Sequence, residues 1–279
     1  MITLGPWQLQ TVSGGKFMLD GGAMFGVVPK PLWQKVAAAD EQNRIEMQTN
    51  CLLARNGKQV VLIDTGYGGK LTEKERLLFN AQEGEPLVEN LAAVGVAPDE
   101  VTQVVFSHLH FDHAGGGVQR RGGKLVPTFP HAQYFVQRTE WNAAVSQAAE
   151  LRGSYPLENL APLEEAGCLT LLDGHVEIVP GLRSRVTGGH TAGHHALMFQ
   201  AGSEAAIYLG DICPTSAHLR ALWCMAYDLF PLETRRIKPQ ILGQAADAGW
   251  LVFFDHDPVH AVCRLQRDEK REFTLAAIS

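Results

Sequence analysis

Six short apolar runs punctuate the chain, and five of them stop on an aspartate or a histidine. They are "QVVLID" ending at Asp64, "VTQVVFSH" at His108, "AQYFVQ" near residue 135, "RSRVTGGH" at His190, "AAIYLGD" at Asp211 and "WLVFFDH" at His256. Runs rich in Val, Ile, Phe and Tyr, bounded by Gly, Asp or Thr, predict strands. Between them lie stretches with apolar residues at helical spacing: "LTEKERLLFNA", "EPLVENLAAVG" stopping at Gly95, "RTEWNAAVSQAAELRG" stopping at Gly153, and "TRRIKPQILGQAADAG", weakened in its middle by Pro239 and Gly243. Strands alternating with helices predict an α/β chain built in layers. Side chains at strand ends can meet on one edge of a sheet although they are far apart in sequence. A site drawing on residues 64 to 256 is hard to divide, so residues 1–279 are read as a single domain.

The densest of these endings is "VVFSHLHFDHAGGG", residues 104–117. His108, His110, Asp112 and His113 fall within six positions there. Burying them without a cation would be costly, because each needs compensation by hydrogen bonds or charge. In an extended segment, residues two apart face the same way, so His108 and His110 can grip one ion. Asp112 and His113, as the chain turns, can face a second. Gly115, Gly116 and Gly117 allow a tight turn. His190 can complete the first set and His256 the second, with Asp211 bridging through its two oxygens. Two divalent ions about 3.5–4 Å apart would bind a shared water as hydroxide near neutral pH. His and Asp ligands suit Zn first, with Mn, Fe or Co also able to fill such a site.

Several neighbours compete for these roles. His194 and His195 follow His190 by one turn and are read as structural. Asp211 is preferred to Asp228 because it directly follows a strand. Asp255 and Asp257 flank His256, and one of them can orient its ring. His131 and His175 are read as solvated or hydrogen-bonded histidines.

Composition removes other classes. The formal net charge is −6 and no Lys/Arg cluster stands out, so a nucleic-acid partner is not expected. No apolar run approaches the roughly 18 residues of a membrane span. The N-terminus lacks a basic head followed by an apolar stretch, and five scattered cysteines suit a reducing compartment. A cytoplasmic location is expected.

The ordered set "LIDTG" at Asp64, "SHLHFDHAGG", "GGHTAGH", "LGD" at Asp211 and "DH" at His256 resembles the motifs of the metallo-β-lactamase superfamily. The resemblance is nearest to its two-metal hydrolases that include N-acyl-homoserine lactonases. The segment "LDGGAMFGVVPKPLW", residues 19–33, resembles the YtnP-like lactonases. The resemblance implies a four-layer αββα sandwich with two mixed sheets and the metals at one edge. It implies seven metal ligands: His108, His110, Asp112, His113, His190, Asp211 and His256. It implies that Asp64 supports ligands. A lactone or related ester is the expected small-molecule substrate, opened by attack of the bridging hydroxide, with a metal-bound water or the Asp112 and Asp211 carboxylates helping to move the proton. An arylesterase or phosphotriesterase on the same metals is the alternative, followed by a di-iron or persulfide-type redox protein.

In the lactonases a tyrosine follows the bridging aspartate by three residues, whereas here that position is Pro214. Tyr227 and His218 are the candidate replacements. Met24 and Phe25, in the glycine-rich "GGAMFGVVP", are candidates for an apolar substrate-binding loop, and the same loop could serve a homodimer contact.

Overall fold

All six apolar runs form strands, and they sit in two mixed sheets. The computed structural model describes residues 1–151 and 153–278. The chain divides into two compact units: Met1–Lys16 with Thr49–Gly174, and Phe17–Gln48 with the segment from His175 onward.

The first unit's sheet begins with β1 (Ile2–Leu4), β2 (Trp7–Asp20), β3 (Arg44–Arg55), β4 (Val60–Ile63) and β5 (Gln103–Val105). A separate hairpin of β6 (Val118–Arg121) and β7 (Lys124–Pro127) precedes β8 (Gln133–Gln137) and β9 (Leu169–Leu172). The sheet order is β1-β2-β3-β4-β5-β8-β9. Pairing is antiparallel from β3 to β4 and parallel from β4 through β5 and β8 to β9. Parallel neighbours need long crossovers. Helices Glu73–Phe79 and Pro86–Ala93 lie in the first crossover, and Arg138–Val145 and Ala161–Glu165 in the last. Leu53, Leu62, Leu91, Val104, Phe106, Tyr134 and Trp141 share one buried cluster.

The second sheet runs in chain order through β10 (Glu177–Val179), β11 (Leu182–Val186), β12 (His195–Ala201), β13 (Glu204–Tyr208), β14 (Leu251–Phe253), β15 (Val262–Asp268) and β16 (Glu272–Ala276). Its pairs are antiparallel except β13 with β14, which are joined by the long helix Pro231–Ala248. Ile241, Leu242 and Ala245 of that helix pack into one cluster with Ile207, Val252 and Leu265 of the sheet.

These registers explain how the candidate residues are placed. In the first unit β4 and β5 are parallel, with Ile63 opposite Val105. The chain therefore leaves both strands at one edge, with Asp64 beside the loop that begins at Phe106. In the second, parallel pairing sets Tyr208 opposite Phe253. Asp211 and His256 each lie three residues beyond. The antiparallel pair β11–β12, with Val186 opposite His195, opens its loop at the same edge and carries His190 there.

Four details differ from the sequence reading. The strands stop earlier, so the candidate ligands stand just past the ladder: Asp112 and His113 on a short helix, Phe111–Ala114, Asp211 on the 3-10 turn Gly210–Ile212, and the others in loops. The run from Arg138 is helical only to Val145, and Gln147 takes a left-handed φ of 51°; Arg152, within that run, lies outside the described residues. The helix from Pro231 continues through both Pro239 and Gly243 to a left-handed Gly249 cap. Finally, "GGAMF" is not an irregular loop but a short helix, capped by Asp20 Oδ1 accepting from Ala23 N at 2.7 Å.

Candidate metal centre

In the first unit the loop after β5 is tied to the loop after β4. Asp64 Oδ1 accepts from Ser107 N at 2.7 Å, and Oδ2 from Ser107 Oγ at 2.7 Å. The same Oδ2 lies 2.9 Å from His113 Nδ1, and Ser107 Oγ lies 3.1 Å from His108 Nδ1. Both imidazoles therefore have Nδ1 secured and present Nε2. Asp64 achieves this from a left-handed φ of 57°, a strained position for a residue with a side chain. The His108 ring centroid is 4.6 Å from that of His110 and 4.0 Å from that of His113. Asp112 Oδ1 is 3.9 Å from His113 Nε2.

The glycines after the histidines are there for close packing. A Cβ on Gly116 would lie 2.1 Å from Thr65 O, and one on Gly115 2.3 Å from Tyr67 O. Behind the loop, buried Glu140 accepts from Leu109 N at 3.1 Å and Tyr155 Oη at 3.0 Å, and the Tyr155 ring packs on His110.

In the second unit Asp211 sits between two imidazoles. Its Oδ2 is 3.0 Å from His190 Nε2 and its Oδ1 is 3.3 Å from His256 Nε2. The opposite ring atoms are held from behind: His190 Nδ1 by Asp228 Oδ1 at 2.9 Å, and His256 Nδ1 by the Gln48 carbonyl at 2.9 Å. Asp255 Oδ2 is 3.7 Å from His256 Nε2. Burial opposes a charged His190 ring, but Asp211 and Asp228 overcome it and raise the ring to about 10. An acceptor on each side leaves this ring two ways to be satisfied. It carries two protons, or it keeps one on Nδ1 and shares a metal ion with Asp211 through Nε2. Three buried carboxylates around two imidazoles call for positive charge. The donor set is therefore chemically suited to a divalent ion. Among the described residues, His108, His110 and His113 in the first unit and His190, Asp211, Asp255 and His256 in the second are the candidate metal-holding side chains, each unit taken by itself.

The neighbours of these residues have other work. His194 Nδ1 pairs with Thr187 Oγ1 and His195 Nδ1 with Ser184 Oγ, each at 2.6 Å. Asp257 accepts from Ser216, Val259 and His260 and holds its own loop. His218, the candidate donor, has both ring nitrogens engaged within the fold. Its Nδ1 is bonded to Thr215 Oγ1 at 2.7 Å and its Nε2 to Met24 O at 2.8 Å, which leaves neither nitrogen for a substrate. Phe25 stacks on that ring at 4.7 Å and on Trp33 at 5.3 Å. Met24 and Phe25 are buried packing residues of their helix. Tyr227 is 41% exposed and adjoins Asp228.

Sequence reasoning weighed Asp228 only as a rival to Asp211 and missed its role at His190, and it missed Glu140 and the Gln48 carbonyl. Asp228 stands in "CMAYDLFP", outside any periodic run, and nothing in its spacing points to His190. The backbone supplies the link: Leu229 N donates to His190 O and Phe230 N to Gly189 O. A carbonyl carries no sequence signal at all.

Comparison with known proteins agrees with this architecture. A family model described as the metallo-beta-lactamase superfamily matches residues 44–251. An N-acyl homoserine lactonase of Bacillus thuringiensis is 29% identical over 170 residues, covering 57% of this chain and 61% of its own length. The chain thus spans about three-fifths of the length of the curated relatives it matches. A crystal structure described as a probable metal-dependent hydrolase from Staphylococcus aureus is 32% identical, superposes with a TM-score of 0.88 and covers 100% of both chains. The structure of AidC, titled a dizinc quorum-quenching lactonase, has a TM-score of 0.80 at 21% identity, covering 100% of this chain and 96% of AidC. With two mixed sheets, flanking helices and the HxHxDH loop after β5, this chain belongs to the metallo-beta-lactamase superfamily.

Proposed function

We propose that this chain is a dinuclear metal-dependent hydrolase that opens lactone rings, with N-acyl-homoserine lactones as the substrate class. The observation that carries the reading is the Asp211 carboxylate, one oxygen facing His190 Nε2 and the other facing His256 Nε2. A carboxylate with two separately aimed oxygens is what a pair of cations requires. The ligand set proposed for the pair is His108, His110 and His190 for one ion, Asp112, His113 and His256 for the other, and Asp211 for both. Zinc is the proposed metal. Bound ions of this kind polarise a carbonyl and activate water for attack.

The chain's own groups do the rest. Asp64 and Ser107 fix the rings of His113 and His108, and Asp228 fixes that of His190. The role assigned to the Asp112 and Asp211 carboxylates in this reading is to take a proton from the attacking water and pass it to the departing alkoxide. Tyr227, one residue from Asp228, is proposed as the hydroxyl donor to the substrate carbonyl in place of the tyrosine lost at Pro214. The lactonase reading draws its support from the curated relatives, named for N-acyl homoserine lactones.

The test is a pH-indicator hydrolysis assay across acyl-homoserine lactones, simple lactones, aryl esters and a phosphotriester, with metal content measured in parallel. Lactone turnover by protein holding two ions per chain is expected. Turnover of aryl esters or the phosphotriester alone would refute the lactonase reading, and a coloured, redox-active iron protein would refute the hydrolase.

A further inference from the structure

The second unit contains a cavity of about 1040 Å³ with none of the candidate metal ligands in its lining. Its walls are largely apolar: Val36, Leu219, Trp223, Val259 and Phe273. Val259 is 76% and Val36 56% exposed, so apolar surface continues to the mouth. Lys35, Arg220 and Arg271 also line it. The Arg220 guanidinium lies 5.5 Å from the Trp223 ring centroid, which places positive charge against the apolar wall. Among the described residues, none of these three cations has a carboxylate partner within salt-bridge distance.

Two acids share the lining, Glu46 and Asp257. Asp257 is turned into its own loop. Its Oδ2 takes Ser216 N at 2.8 Å, and its Oδ1 takes Val259 N at 2.9 Å and His260 N at 2.6 Å. A chain of net charge −6 has thus gathered three cations, none of them ion-paired among the described residues, around an apolar hollow. Small-molecule sites are mostly apolar concavities with a few polar groups that set orientation, and a hollow of this size has room for a medium-length alkyl chain.

We infer that this cavity is a binding site for an amphipathic carboxylate, a linear acyl chain ending in an anionic head held by Lys35, Arg220 and Arg271. The inference does not depend on the hydrolase reading. Free fatty carboxylates and N-acyl amino acids share this chemistry.

The test is calorimetry on the metal-loaded full chain with decanoate, N-decanoylglycine, decanol and decyltrimethylammonium. One saturable site per chain is expected for at least one carboxylate, with a Kd on the order of 10–100 μM. Which carboxylate binds more tightly identifies the source. Decanol and the ammonium should bind at least tenfold more weakly. Lys35→Glu with Arg271→Glu, both on exposed side chains, should weaken the carboxylate at least tenfold and leave lactone or ester turnover unchanged. His110→Ala should leave carboxylate binding intact, which separates this cavity from capture by the metals.

Decanol binding as tightly as decanoate, or no loss in the charge-reversed variant, would overturn the proposal. So would loss of binding in His110→Ala. A charge reversal that shifts the monomer–dimer balance in sedimentation, with no carboxylate bound by the parent, would make this face an interface between copies and overturn it as well.

Discussion

Asp228 is the residue on which the His190 geometry turns. It is buried, 2.9 Å from His190 Nδ1, and it sets the tautomer that leaves Nε2 facing Asp211. Outer partners of this kind typically contribute 10–100-fold to metal affinity. Asp228→Ala should lower affinity by about that factor in competition with a chromophoric chelator. Asp228→Asn keeps an acceptor oxygen and should retain most of it; equal loss in both variants would show that charge, not orientation, is the contribution. His218 makes a second prediction at this scale. Burial pushes its ring down to about 4, against an ordinary value near 6.5. Between those values the unfolded chain holds a proton that the folded chain excludes. Its contribution to stability is therefore complete above about pH 6.5 and is lost as pH falls towards 4, on the order of 3 kcal/mol in all. His218→Asn should flatten that part of the profile, measured as the difference between wild-type and variant urea midpoints at pH 7 and pH 5.

At the scale of elements, the ligand loop after β5 is held by direct backbone packing against the loop after β4. Thr65 donates to His113 O through both N, at 2.7 Å, and Oγ1, at 2.9 Å. Gly116 N donates to Gly66 O at 2.9 Å. An added Cβ at Gly116 would drive these strands of backbone apart, because Thr65 O has no flexible side chain to yield. Gly116→Ala should cost about 1–3 kcal/mol in a denaturant melt, the usual range for overpacking, and should also weaken metal binding because the displaced peptide is the one that holds His113. Loss of stability with unchanged metal affinity would show that the two loops are mechanically independent. The glycine run after His113 was readable as a tight turn, but its partner was not, because backbone-to-backbone contact leaves no trace in side-chain pattern.

For the whole molecule, a bound metal pair adds its binding free energy to folding. At a free concentration of 1,000 times Kd, one ion contributes about 4 kcal/mol. Stripping metal with a chelator should abolish hydrolysis and lower Tm by several degrees, and adding back a divalent ion should restore both in a thermal melt. A Tm indifferent to chelation would mean that the buried carboxylates are compensated by the protein itself. Two long strands near the N-terminus, Trp7–Asp20 and Arg44–Arg55, escaped the pattern reading because polar residues interrupt both, and two glycines the first. The first alternates only in part, with buried Trp7 and Leu9 about exposed Gln8, and the second is buried without a break over residues 49–54, so neither carries a clean period of two along its length.

By itself the amino-acid sequence determined the chemistry: which residues can bind cations, that they follow strand-like runs, and that strands alternate with helices. Those are properties of residue type and short-range spacing, and local sterics suffice to express them. Only the tertiary structure decided which atoms face one another. The parallel register of Tyr208 with Phe253 brings Asp211 and His256 to one edge. Asp228 rather than a nearer acid reaches His190, and both nitrogens of His218 are spent on the fold. Such pairings join positions tens or hundreds of residues apart, and they follow from how sheets close and side chains pack, which no local window contains.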